Sequence, residues 1–152
     1  MSWPLLCLTL ALIFQPFITS RADEQACIKE TKPLMTTKAS WADISRAAAT
    51  LPSECFAGYF GEGISDTIVR KCVTDWSGMI EVLAKQHPAN DKFFGLVIKS
   101  INSTLDPDDI RALKKLADES CPIGVKKKCD AISRQAAKAL TDYTPPGPAG
   151  KP

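Results

Sequence analysis

Pro33, Pro52, Pro88, Pro107 and Pro122 cut the chain into short segments, and within each segment apolar residues recur every three or four positions. Proline cannot sit in a helix interior, and a step of three to four is the repeat of one helix face. No stretch of six residues alternates apolar and polar with β-branched enrichment, so strands have no template. An all-α fold is the consequence.

The segments read as follows. Glu24 to Thr31 forms a short first helix ended by Pro33. Ser40 with Asp43 three residues later makes a capping-box start for a second, which carries Trp41, Ile44, Ala47, Ala48 and Leu51 on one side. A short third helix runs from Ser53 through Phe56, Tyr59 and Phe60 into Gly61, where Gly61 and Gly63 suit left-handed helix ends. The longest helix is expected from Ser65 or Asp66 to about Gln86, with Ile68, Cys72, Trp76, Met79, Ile80 and Leu83 in step and Val69, Val73 and Val82 widening the face. His87-Pro88 stops it. Asn90-Asp91 caps a fifth helix striped by Phe93, Phe94, Val97, Ile98 and Ile101.

Asp106-Pro107-Asp108-Asp109 combines a cap, proline at the first helical position and carboxylates facing the helix dipole, so a helix starts there and buries Ile110, Leu113, Leu116 and Ala117. A last helix turns Val125, Cys129, Ile132, Ala136 and Leu140 inward. Six to seven helices on short links make a compact bundle, with a short HEAT-like helical array as the alternative.

Trp3 to Phe14 is nearly all apolar, Pro16 interrupts it, and Ser20-Arg21-Ala22 offers spaced small residues to a signal peptidase. A membrane span needs about 20 apolar residues, more than this run holds. Residues 1–22 therefore read as a cleaved signal peptide, 23–142 as the helical domain, and 143–152, ending TPPGPAGKP, as a disordered tail. The mature form carries no transmembrane anchor on this reading and is secreted or periplasmic.

Removing Cys7 with the leader leaves Cys27, Cys55, Cys72, Cys121 and Cys129, an odd number in a compartment that permits disulfides. Cys121 ends one helix and Cys129 opens the next, so these two are expected to pair. Cys72 stands one turn from Ile68 and one from Trp76 on a core stripe, and is expected to stay a buried free thiol. Cys27 and Cys55, on short segments that can swing together, then form the second bridge. The rival pairing joins Cys55 to Cys72 and frees Cys27. No CxxC or paired Cys/His spacing occurs, so neither a metal site nor a redox motif is read, and no cofactor is expected.

A formal charge of +2 gives no basic excess that implies nucleic acid. The single His, His87, leaves little material for acid/base chemistry. The alternating carboxylates Asp106, Asp108 and Asp109 lack the glycine of a calcium loop, since Arg111 stands at its sixth position. Lys126, Lys127 and Lys128 with Lys114 and Lys115 outline a basic patch that anionic lipid or a cell-wall polymer could meet. Asn102-Ser103-Thr104 is a glycosylation triplet. The Tyr59 to Asp66 stretch is the least generic: its rings are expected to turn inward around a glycine turn, and a binding surface would have Tyr59 and Phe60 at its lip and Glu62 and Asp66 at its polar edge.

The function expected is non-catalytic: a small exported helical protein that binds a protein or an envelope component, or is itself structural. Two alternatives belong to other classes. Glu119-Ser120 is similar to the dipeptide around the catalytic acid of lytic transglycosylases, a resemblance of two residues that implies glycan cleavage with Glu119 as acid in a deep groove. A carrier of a small apolar ligand would need a cavity lined by Phe93, Phe94 and Trp76.

Overall fold

The computed structural model describes residues 21–36, 38–85 and 88–145. The leader up to Ser20, His87 and the tail from Pro146 onward lie outside the described residues. Seven α-helices and no strand are found among those described: α1 (Arg21–Thr31), α2 (Trp41–Thr50), α3 (Gly58–Thr74), α4 (Trp76–Ala84), α5 (Pro88–Ser100), α6 (Pro107–Glu119) and α7 (Lys126–Asp142). Short 3-10 turns at Lys32–Met35, Ser53–Phe56 and Ile123–Val125 connect some of them.

Two helix starts follow their cap chemistry directly. Ser40 Oγ accepts the Asp43 amide at 3.1 Å while the Asp43 carboxylate accepts from the Ser40 amide, so two otherwise unpaired N–H groups are satisfied reciprocally. Asp106 Oδ1 accepts the Asp108 amide at 2.8 Å, with Pro107 as the first helical residue.

The compact bundle has one core. α6 and α7 form a close hairpin, α2 lies along α5, and α3 packs on both α5 and α6. Ile44, Ile64, Ile68, Met79, Phe93, Val97, Ile110, Leu113 and Ile132 are all but inaccessible to solvent within it. All but Ile64 are positions that helical spacing nominates, because each amphipathic helix has one stripe to bury; Ile64 enters the core because α3 starts at Gly58, ahead of the expected Ser65. Side-chain donors tie off carbonyls at helix ends: Lys92 Nζ donates to Ala49 O in the last turn of α2 (3.0 Å), Lys128 Nζ to Leu83 O of α4 (2.9 Å), and Gln135 Nε2 to Ile101 O just past α5 (2.8 Å).

The structure corrects three expectations. The long helix from Ser65 to Gln86 is two helices broken at Asp75, whose backbone leaves helical geometry and whose carboxylate accepts the Gly78 amide as the cap of α4. The short helix ending at Gly61 does not exist: after the Ser53–Phe56 turn the chain swings through Gly58, at φ +61°, and enters α3 directly. Gly61 and Gly63 are thus helix-interior residues that permit close approach. A Cβ on Gly61 would lie 2.5 Å from the Phe56 carbonyl oxygen, and one on Gly63 would strike the end of Met35. The third correction concerns α5, which begins at Pro88 and not at Asn90-Asp91, since proline is well suited to a first helical turn.

Candidate functional site

Both expected bridges are present. Cys27 of α1 joins Cys55 in the Ser53–Phe56 turn with a Cα separation of 5.0 Å, and Cys121 joins Cys129 across the α6–α7 connection at 6.2 Å. Cys72 is a free thiol, 0% exposed, and burial pushes its pKa up to about 12. A thiol so placed is a small core hydrophobe and not a nucleophile.

Tyr59, Glu62 and Asp66 fall at i, i+3 and i+7 on one outward face of α3. Tyr59 is 77% exposed and stands edge-on to the half-buried Phe60 at 5.6 Å, so the expectation that the Tyr59 ring turns inward is corrected: in a helix that begins at Gly58, position 59 looks to solvent. Asp66 pairs with Arg70 (3.1 Å), which also reaches Asp109 at the start of α6 (3.5 Å). The result is a polar strip in which Arg70 links α3 to α6.

A concave feature lies beside the same helix, lined by other residues of it. A cleft of about 830 Å³ opens between α5 and the segment from Leu51 through Ala57 that leads into α3. Ala48, Leu51, Pro52, Phe56, Ile64 and Leu96 give it apolar walls, while Ser53, Glu54, Ser65, Lys92, Lys99 and Ser100 supply its polar groups. None of Tyr59, Phe60, Glu62 and Asp66 lines it; from α3 it takes Gly61, Ile64 and Ser65. The Cys27–Cys55 bridge braces the turn that forms its outer wall. From α5, Lys92, Gly95, Leu96 and Lys99 face the cleft together, a set at helical spacing that signals a shared face but not a gap in packing opposite it.

Other sequence candidates are placed as follows. Glu119 is exposed in the last turn of α6 and does not line the cleft. Phe93 is buried edge-on against Trp41 (5.8 Å), Phe94 packs below the Lys128 ammonium (5.8 Å), and Trp76 donates to Ser120 O (3.0 Å), so the three serve the core and helix contacts and do not line the cleft. The basic patch is largely internally paired: Lys114 with Asp118, Lys126 with Asp130, and Lys128 with the Leu83 carbonyl. Lys114, with Ser133 as a second donor, holds the Asp118 carboxyl below its usual range. Asn102 Oδ1 accepts from the amide and hydroxyl of Thr104, forming a local turn. Among the described residues no three His, Cys, Asp or Glu cluster as metal ligands, and no helix is long and apolar enough to cross a membrane.

Comparison with known protein families, curated proteins and solved structures gives no match to this chain.

Proposed function

We propose that this chain is an exported, disulfide-braced binding protein of the periplasm or extracellular space, without catalytic activity, whose ligand site is the cleft between α5 and the start of α3. The observation that carries the reading is the cleft: about 830 Å³, lined by apolar and polar side chains together. Small-molecule sites have that size, roughly 300 to 1,000 Å³, and combine apolar walls with polar groups that orient the ligand. Its ionisable lining is one carboxylate, Glu54, and two ammonium groups, Lys92 and Lys99, with neither imidazole nor thiol. That set orients a ligand more readily than it transfers protons or attacks a carbonyl.

Export is supported by the apolar leader with its small-residue site and by two bridges that need an oxidising compartment. Native mass spectrometry of the full chain, recovered from the exported fraction of an expressing cell, tests both parts. The expected polypeptide begins at Asp23, or at Arg21 if the nearer site is cut, and carries a bound small molecule that Gly95→Phe displaces. Retention of Met1 in membranes defeats export. A bound mass indifferent to Gly95→Phe, or none at all, defeats the cleft.

A further inference from the structure

Resting on the reading of the cleft as a ligand site, we propose that its occupant is a single-chain amphiphile carrying one carboxylate, of the fatty-acid class. The first argument is charge. Lys92 and Lys99 flank the α5 face of the cleft and Glu54 is the sole carboxylate among its lining residues, so the lining carries one net positive charge, which a monoanion balances. The two lysines stand seven residues apart, about 10 Å along the helix. Lys92 already donates one N–H to Ala49 O at 3.0 Å, which fixes its ammonium at the rim and leaves two further donors for a carboxylate.

The second argument is shape. Between the lysines lies Gly95, where a Cβ would meet no atom within 4 Å. The missing side chain leaves a slot on α5, and across it stand Leu51, Phe56 and Ile64. An open slot at Gly95 with apolar side chains across it and lysines on either side along α5 fits an acyl chain lying along it with its headgroup at the surface. It does not suit a compact polar solute, which would leave those walls against water and lose its own hydration.

Calorimetric titration of the full disulfide-bonded protein with dodecanoate, kept below its micelle-forming concentration, tests this, with dodecanol as the uncharged partner. Dodecanoate is expected to bind, and dodecanol to bind about tenfold more weakly, the cost of one charge-assisted hydrogen bond. The double variant Lys92→Gln/Lys99→Gln should erase that difference. Gly95→Phe should abolish binding of both with an unchanged helical circular-dichroism spectrum, and Gly95→Leu provides a smaller plug if the phenyl ring disturbs folding. Equal binding of acid and alcohol by the native protein overturns the charge argument. No dodecanoate binding, where the exported protein still carries a mass that Gly95→Phe displaces, overturns the ligand class and leaves the cleft reading standing. Native-like dodecanoate affinity in both Gly95 variants overturns the cleft as the site.

Discussion

The indole N–H of Trp41 donates to the main-chain oxygen of Asp75 at 3.3 Å, which places the first residue of α2 against the break between α3 and α4. The ring of Trp41 meanwhile meets Phe93 edge-on at 5.8 Å and lies under the Lys71 ammonium at 5.2 Å. One buried side chain therefore joins α2, α3, α5 and the α4 cap.

Asp75→Ala should destabilise the fold by about 1 kcal/mol, the usual worth of an N-cap, since the Gly78 amide loses its acceptor while the Asp75 carbonyl still serves Trp41. Asp75→Asn retains an acceptor and should cost only a few tenths as much. Urea unfolding of both variants measures the difference. An alanine variant as stable as the parent would mean that the break rests on the Trp41 contact alone.

That break marks the limit of what spacing reveals. Cys72, Trp76, Met79 and Leu83 continue at steps of four and three whether or not the helix is interrupted, because two helices joined by one residue can keep the same face toward the core. The signal for the break was chemical: Asp75 three residues ahead of Gly78. Starts at Ser40 and Asp106 were legible because their caps are local, and the cysteine pairing because Cys121 and Cys129 flank one short connection and, of the other three, Cys72 alone sits on a core stripe. The cleft was not legible, since it arises from what fails to fill the space across from Gly95, and no periodic pattern encodes an absent neighbour.

The two disulfides should differ in worth. In the chain-entropy account a bridge stabilises more as the loop it closes lengthens. Cys27–Cys55 spans a separation of 28 residues and Cys121–Cys129 one of 8. Replacing the first pair by alanine should cost ~3 to 4 kcal/mol and the second ~2 to 3 kcal/mol. Thermal unfolding of the two double variants ranks them, and the reverse order would show that packing at the α6–α7 turn outweighs loop closure.

Cys72 should resist alkylation in the native state and react only on unfolding, because the thiol is inaccessible and its charged form is excluded from the core. Its folded pKa of about 12 lies above the ordinary 9.0, so the folded state holds the proton more tightly. The sign is then fixed: this contribution to stability is complete below pH 9.0 and is lost progressively as pH rises toward 12. Cys72→Ala removes that alkaline component, visible as a shallower fall in melting temperature above pH 9.0. Cys72→Ser should destabilise by roughly 1 to 3 kcal/mol through an unmatched buried hydroxyl.

Acid acts on the α2 cap. The Ser40 hydroxyl and amide, with Arg46 beside them, hold the Asp43 carboxyl below its usual 3.8. A lowered folded pKa means stability that is present above 3.8 and is lost as pH falls through the folded value. Asp43→Asn should remove that part of the acid sensitivity. Melting curves between pH 5 and 2 compare the two proteins, and parallel decline would assign the acid response elsewhere.

Three glycines in helices separate the reasons a helix tolerates one. At Gly61 an added methyl lies 2.5 Å from the Phe56 carbonyl oxygen, a backbone atom that cannot yield without moving the cleft wall and the Cys55 turn. Gly61→Ala should therefore destabilise by roughly 1 to 3 kcal/mol, as overpacking does. At Gly63 the obstacle is the terminal methyl of Met35, the far end of a flexible side chain, so Met35 can turn aside and the cost is largely offset by alanine's better helix propensity, leaving a change within about 0.5 kcal/mol. At Gly95 nothing stands in the way, and Gly95→Ala should stabilise by up to about 1 kcal/mol because the unfolded chain loses freedom that the helix never used. The order Gly95, Gly63, Gly61 from stabilising to damaging is the expected result of denaturant titration. In ligand-free protein, a Gly95→Ala variant that loses stability would show that the added methyl meets packed atoms, and the open slot at Gly95 would then be refuted.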